Sequence, residues 1–301
     1  MLNIEALLAD VKPLAVHDGP GLRTTFFLKG CPLRCRWCHN PECISPRPQL
    51  LYREKFCADC GNCVPACPAG AHRIGAGGHR FERERCIGCG SCETACLHGA
   101  LQLCGRRITV EKALELALED RDFQRRSGGG VTVSGGEPLL QTGFCRAFFM
   151  ELGKLGVHRA LDTSGEAPWE TLELLLAETD LVLYDFKQAD DAKHRAGTGV
   201  SNRRILENLR RLTATGIPVE IRIPLIPGYN MEQEDLEKAG RFLAGVPQPP
   251  PVRLLAYHPF AHEKYRFAGR SDPLPDADPP EDAEMESAAG ILRSFGLKVL
   301  W

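Results

Sequence analysis

The chain has 301 residues, 43% hydrophobic and 25% charged, with 37 Lys and Arg against 39 Asp and Glu. This mix excludes a disordered, collagen-like or low-complexity chain, and the net charge of -2 gives no basic field for nucleic acid. No apolar run reaches the roughly 18 residues a membrane span needs, and the acidic start MLNIEALLADVK is no secretory signal, so the cytoplasm is the expected compartment, with neither nucleic acid nor membrane as partner.

The first predicted strand covers 24–28. After Cys104 a regular alternation sets in. A helix is expected over 110–126, with Ala113, Leu114, Ala117 and Leu118 on one stripe, stopped by Gly128 to Gly130. Strand 131–133 runs into Ser134-Gly135-Gly136-Glu137-Pro138, and a helix over 142–155 follows. Strand 157–161 ends in Asp162-Thr163-Ser164-Gly165, and Pro168 opens a helix to 178. Strand 181–184 ends in Asp185-Phe186-Lys187, and Asn202 starts a helix to 214. Strand 218–224, helix 231–244 and strand 252–256 come next, the last ending in Tyr257-His258. Helix 281–294 and strand 297–301 close the chain. The Pro-rich stretches 246–251 and 271–280 read as surface connections, the second beside the active face.

Strands alternating with helices imply parallel βα units, about six of them. The expected fold is α/β, a partial (βα)6 TIM-type barrel formed by 1–56 and 105–301. In such a fold the C-terminal ends of the strands converge on one face, so four polar motifs distant in sequence should meet there. The competing reading is ordinary turn chemistry, which loses weight when all four sit at equivalent positions.

Fourteen cysteines in such a chain point to metal or redox chemistry rather than disulfides. Segment 57–104 holds nine of them, eight in two copies of C-x2-C-x2-C-x3-C offset by 29 residues and the ninth at Cys104. This spacing gives three close thiolates to one cubane and sends the fourth to its neighbour. Cys57, Cys60, Cys63 and Cys96 are therefore assigned to one [4Fe–4S] cluster, and Cys86, Cys89, Cys92 and Cys67 to a second. Cys67 precedes a proline but Cys96 precedes Leu97, a departure from the pattern. Zinc is the alternative that two tandem quartets disfavour. The segment reads as a ferredoxin-like insert, too small for a strong core of its own.

The remaining constellation is Cys31-Pro-Leu-Arg-Cys35-Arg-Trp-Cys38, on the loop after the first predicted strand. Three thiolates leave one iron of a cubane open to a substrate. Cys104 and Cys145 read as small core residues, and Cys43 as a free thiol rather than a ligand.

The C-x3-C-x2-C spacing, with Ser134-Gly-Gly-Glu137, resembles the radical S-adenosylmethionine (SAM) superfamily. Asp18-Gly-Pro-Gly-Leu-Arg23, Trp37-Cys-His-Asn-Pro41, Leu161-Asp-Thr-Ser-Gly165, Asp185-Phe-Lys187, Gly199-Val-Ser-Asn202, Arg222 and Pro227-Gly-Tyr229 resemble the glycyl-radical-enzyme activating enzymes nearly end to end. The insert resembles the subgroup that serves dehydratases, decarboxylases and lyases. The resemblance implies three [4Fe–4S] clusters and SAM, chelated at the open iron of the Cys31/Cys35/Cys38 cluster. Its reductive cleavage would give a 5′-deoxyadenosyl radical that takes hydrogen from a backbone glycine of a partner glycyl radical enzyme, with flavodoxin or ferredoxin as reductant.

The loop chemistry agrees. Gly135 and Gly136 admit close approach of a ligand. Glu137, Asp162 and Asp185 suit a cationic amino group or a monovalent cation near Asp162 and Asp185. Lys187 and Arg222 suit the SAM carboxylate. Trp37 and His39 suit the adenine side and His258 the ribose, with Thr163 and Phe186 completing the expected SAM site. Lys187 paired with Asp185, and His258 as a core histidine, are the structural alternatives. Two other functions stay open: a radical SAM enzyme acting on a small molecule or another peptide, and an electron carrier, for which the insert alone would suffice.

Overall fold

The computed structural model describes residues 2–274 and 276–301. Strand β1 (Glu5–Ala15) forms an antiparallel hairpin with β2 (Arg23–Leu28). Strands β3 (Gln49–Tyr52), β4 (His72–Gly75), β5 (Gly78–Phe81) and β6 (Leu101–Cys104) are short, and β7 (Arg106–Thr109) returns to the outer side of β1. Then follow β8 (Gly130–Gly135), β9 (His158–Thr163), β10 (Leu181–Asp185), β11 (Val219–Leu225), β12 (Val252–Ala256) and β13 (Val299–Leu300). They build a nine-stranded sheet in the order β13-β12-β11-β10-β9-β8-β2-β1-β7. Every pair from β2 through β8 to β13 is parallel. The sheet is thus open and mostly parallel.

Strand alternation sorts this sheet into two chemistries. Phe26, Val133, Leu161, Val182, Tyr184, Ile221 and Leu254 join the main core with Phe148, Leu172, Leu209, Leu236 and Leu292 of the covering helices. The intervening positions carry Thr25, Ser134, Asp162, Asp185, Glu220, Arg222 and Arg253 to the other face. One face is buried by helices, and the other collects polar side chains.

Two expectations are corrected. The strand over 24–28 is not the first, because β1 precedes it. The helix over 110–126 is two helices, Val110–Glu119 and Arg121–Ser127, with Asp120 between them at φ -98° and ψ 11°. Asp120 accepts a hydrogen bond from Thr24 Oγ1 at 3.0 Å, which ties the break to β2.

The repeat noted among the cysteines extends to the strands. Its 29-residue offset carries β3 onto β5 and β4 onto β6. Pairing is crosswise: β3 with β6, and β4 with β5. Each small sheet therefore takes one strand from each repeat. No helix among the described residues is long and apolar enough to cross a membrane.

Candidate active site

The loop carrying Cys31, Cys35 and Cys38 leaves the C-terminal end of β2 and is clamped by its backbone. Gly30 and Cys31 donate N–H bonds to the carbonyls of Cys43 and Ile44 at 2.7 and 3.1 Å. Arg34 and Arg36 donate to the carbonyls of Thr198 and Gly197 at 2.7 and 3.0 Å. Gly197 cannot carry a side chain, since a Cβ would lie 2.5 Å from the Tyr229 ring. All three thiols are half-buried and unpaired. Burial pushes Cys31 and Cys38 up to about 12. Burial raises Cys43 and Cys145 as well, so the C-x3-C-x2-C spacing, not the rise, singles out these three as ligands.

The glycines after β8 serve the same loop. Gly135 has φ +109°, and a Cβ on it would fall 2.3 Å from Leu28 N. A Cβ on Gly136 would fall 2.1 Å from the Gly30 carbonyl and 2.9 Å from that of Cys43. The close approach these glycines permit is to the protein's own three-cysteine loop. Glu137 is fully buried. Its carboxylate accepts bonds from Thr163 Oγ1 and Ser164 Oγ at 2.6 Å, Ser164 N at 2.9 Å and Leu139 N at 3.1 Å. This corrects the expectation that Glu137 meets a ligand cation: its oxygens join the β8 turn to the β9 turn.

Asp162, Asp185, Lys187 and Arg222 share the polar face. Ser134 Oγ donates to Asp162 at 2.6 Å, and Arg222 Nη1 lies 4.0 Å from the same carboxylate. Burial raises Asp162 to about 7 against the pull of Arg222, and Asp185 adds to the rise. Lys187 Nζ pairs with Asp185 at 2.8 Å. Burial pulls this ammonium down, but Asp185 and the Cys35 thiol hold it above the ordinary lysine range. Arg222 Nη2 donates to the His17 carbonyl at 2.8 Å, while its buried Nε makes no hydrogen bond. Phe186 is a correction. Alternation turns it to the helix side, where it is buried in the main core and stacks on Phe242 at 5.8 Å.

An aromatic wall follows Cys38. Trp37 is buried with Ile226 and Tyr257 and packs on Tyr229 at 4.3 Å. His39 stacks on His258 at 3.9 Å. His39 Nε2 and His258 Nδ1 are buried without protein partners. Burial, with help from His258, lowers His39 to about 4, and burial lowers His258 as well. Leu274 and Ala277, from the Pro-rich stretch expected beside the active face, pack on this group; Pro275 lies outside the described residues.

In the insert, a small cavity is lined by Cys57, Cys60, Cys63 and Cys96, three thiols from one repeat and the fourth from the other. Burial, then the thiols of Cys86, Cys67 and Cys89, push Cys92 up to about 12. Cys43, Cys104 and Cys145 are all buried. Cys104 Sγ lies 3.8 Å from Lys29 Nζ, and Cys145 Sγ donates to the Pro138 carbonyl at 3.5 Å.

Sequence reasoning assigned no role to Asp18 and Arg23. Arg23 is wholly buried and donates to Thr132 Oγ1 at 2.7 Å, the Val131 carbonyl at 2.7 Å and the Pro20 carbonyl at 3.1 Å. Asp18 accepts from Thr25 Oγ1 at 2.8 Å. These bonds pin the β1–β2 turn to β8, and that turn presents the His17 carbonyl to Arg222. The Asp-Gly-Pro-Gly-Leu-Arg run was the available signal.

The radical SAM superfamily model matches residues 80–239, a 4Fe-4S dicluster domain matches 56–101 and a 4Fe-4S single cluster domain matches 17–67. The choline trimethylamine-lyase activating enzyme of Oleidesulfovibrio alaskensis is 39% identical over 99% of this chain and 98% of its own. The chain belongs to the glycyl-radical-enzyme activating enzymes of the radical SAM superfamily. The isethionate sulfite-lyase activating enzyme of Nitratidesulfovibrio vulgaris is 42% identical over 88% of each chain. That of benzylsuccinate synthase from Thauera aromatica is 41% identical over 88% of this chain and 82% of its own. A domain of pyruvate-formate lyase-activating enzyme from Bacteroides vulgatus superposes with TM-score 0.50 at 34% identity, covering 57% of this activating enzyme and 98% of that domain.

Proposed function

We propose that this activating enzyme installs a glycyl radical on a partner glycyl radical enzyme. The observation that carries the proposal is the clamped three-thiol loop at the end of β2, with Cys35 near enough to Lys187 and Asp185 of the polar face to feel their charge, in a chain related end to end to activating enzymes. Cys31, Cys35 and Cys38 would hold a [4Fe–4S] cluster with one iron open. Bound there, the cluster supplies the electron that splits the S–C5′ bond of SAM, yielding the radical that takes hydrogen from a partner glycine.

The chain's own residues bind and orient the SAM. Lys187 and Arg222 bring positive charge to its carboxylate, and Asp162 and Asp185 bring negative charge to its amino group. The mutual repulsion of those two aspartates also suits a monovalent cation. Trp37, His39 and His258 form an aromatic wall with unpartnered ring nitrogens, suited to adenine and ribose. Gly135, Gly136, Glu137 and Thr163 hold the neighbouring turn in place. The sheet is read as the wall of a partial (βα)6 barrel, with the insert as a separate ferredoxin-like unit. The pairing of β3 with β6 favours starting that unit at Gln49 rather than at 57. Its two saturated clusters would relay electrons from flavodoxin or ferredoxin to the open cluster. Fourteen unpaired cysteines fit a reducing cytoplasm.

The test is activation itself. Anaerobically reconstituted protein, SAM and dithionite would be mixed in turn with choline trimethylamine-lyase, isethionate sulfite-lyase and benzylsuccinate synthase. A glycine-centred radical in electron paramagnetic resonance, with matching 5′-deoxyadenosine, is expected with a suitable partner. SAM cleavage without a protein radical, accompanied by a modified small molecule, would overturn the reading.

A further inference from the structure

The two halves of the insert are matched in their thiols but not around them. Equivalent cysteines share the same exposure: Cys57 and Cys86 half-buried, Cys60 and Cys89 exposed, Cys63 and Cys92 buried, Cys67 and Cys96 half-buried. Solvent access therefore does not distinguish the two sites. The residues beside them do. The 29-residue offset places His72 opposite Leu101 and His79 opposite Leu50. Leu50 and Leu101 are buried in one small apolar cluster with Cys63 and Cys92. His72 and His79 instead pair with each other, Nδ1 to Nε2, at 2.9 Å. Potential ligand atoms of Cys63, His72 and His79 all lie within 4.8 Å of one another, and His79 lines the cavity of the first quartet.

Proton counting gives this pair a consequence. Two neutral imidazoles carry two N–H groups, one of which is used in the bond between the rings. The outer nitrogens, His72 Nε2 and His79 Nδ1, are buried and have no protein partner. Whichever tautomer is present, one outer N–H is left to donate. His72 is only 2% exposed, so water is a poor acceptor for it. The pair lies against Cys63, and His79 lines the cavity of the first quartet, so a cluster held there would be the nearest group to feel its N–H dipoles. An N–H dipole aimed at a cluster stabilises the added electron and raises the potential.

We infer that the His72–His79 pair makes the two insert clusters electrochemically unequal, raising the reduction potential of the one held by Cys57, Cys60, Cys63 and Cys96. The inference rests on the reading of both quartets as cluster ligands. Asp59 works in the opposite direction: it stands where the second repeat has Gly88 and accepts the His79 backbone N–H at 2.7 Å. Asp59 is exposed, so water and salt screen its charge. The imidazole pair, being better buried, dominates.

The test is a reductive titration of the full reconstituted chain, followed by electron paramagnetic resonance. In the wild type the two insert clusters should reduce at separate potentials. Replacing the pair by the residues of the other repeat, His72→Leu with His79→Leu, leaves Asp59 in place. It should lower the upper midpoint about tenfold in reduced-to-oxidised ratio, about 59 mV for one electron, with iron content unchanged. An unmoved midpoint with all iron retained overturns the inference. If the double variant sheds about four irons, the reciprocal Leu50→His, at the counterpart of His79 and off the first quartet's cavity, decides. A raised midpoint for the second cluster supports the inference, and an unmoved one overturns it. One zinc per wild-type chain, lost in the histidine variant, would sink the cluster reading of Cys63 instead.

Discussion

The loop of Cys31–Cys38 and the insert both use cysteines, but they stand on different foundations. The loop rides on a sheet whose core is closed by large apolar side chains from its strands and their helices, and its clamps are backbone hydrogen bonds. The main apolar cluster of the insert has four buried members, Leu50, Cys63, Cys92 and Leu101, and two of these are thiols assigned to clusters. On the proposed cluster assignment, metal at the loop would be cargo on a separately packed core, and metal in the insert would complete a core too small by itself.

The contrast can be broken most directly at Cys35. Cys35→Ala should abolish SAM cleavage and remove about four of about twelve irons. Thermal stability should change little. Wild-type levels of 5′-deoxyadenosine would defeat the assignment. Stripping all iron should have a local effect of similar size: amide hydrogen exchange over 49–104 should rise toward unfolded rates while β8 to β12 stay protected. Uniform loss of protection would erase the distinction between cargo and core.

Smaller effects sharpen it. Gly136→Ala pushes a methyl into the Gly30 and Cys43 carbonyls and should cost about 3 kcal/mol in denaturant unfolding, with weakened SAM cleavage. Normal stability would show that the two turns need not touch.

Asp162 gives a pH signature. Its folded value, about 7, lies above the ordinary aspartate value of 3.8, so the folded state holds the extra proton between them. Its contribution to stability is present below pH 3.8 and is lost as pH rises toward 7. The slope is at most about 1.4 kcal/mol per pH unit, less for residual exposure. Asp162→Asn should flatten that slope, and parallel curves would place the carboxyl in water.

The smallest effect is expected from Phe186→Leu. It should cost less than about 1.5 kcal/mol and leave the SAM concentration for half-maximal cleavage unchanged. A large rise in that concentration would return Phe186 to the polar face.

The parallel strands were legible because β-branched and apolar runs ended in polar turns, and the thiol sets because spacing alone reports them. β1 was hidden: EALLADVKPLA mixes helix-favouring residues with no clean alternation, and its exposure is irregular to match. The crosswise pairing of the insert joins residues far apart in sequence, which local pattern cannot show. Glu137 was placed in the right turn but given the wrong work, because its partners Thr163 and Ser164 come 26 and 27 residues later. Phe186 followed its motif neighbours, whereas counting by twos along β10 would have turned it away.

The crosswise insert also sets an order of events during synthesis. β2 and the loop of Cys31–Cys38 leave the ribosome early, but Gly136, which closes on that loop, comes about a hundred residues later. Both halves of the insert, through β6 at Cys104, are made in between. Neither half can finish alone, since β3 waits for β6 and Cys96 comes from the second copy to the cavity of the first. The emerging chain holds all eight thiols of the two quartets before it has the strand that shelters the three-thiol loop. On the proposed cluster assignment, iron reaching the growing polypeptide would find the insert's thiols complete while the loop of Cys31–Cys38 is still open.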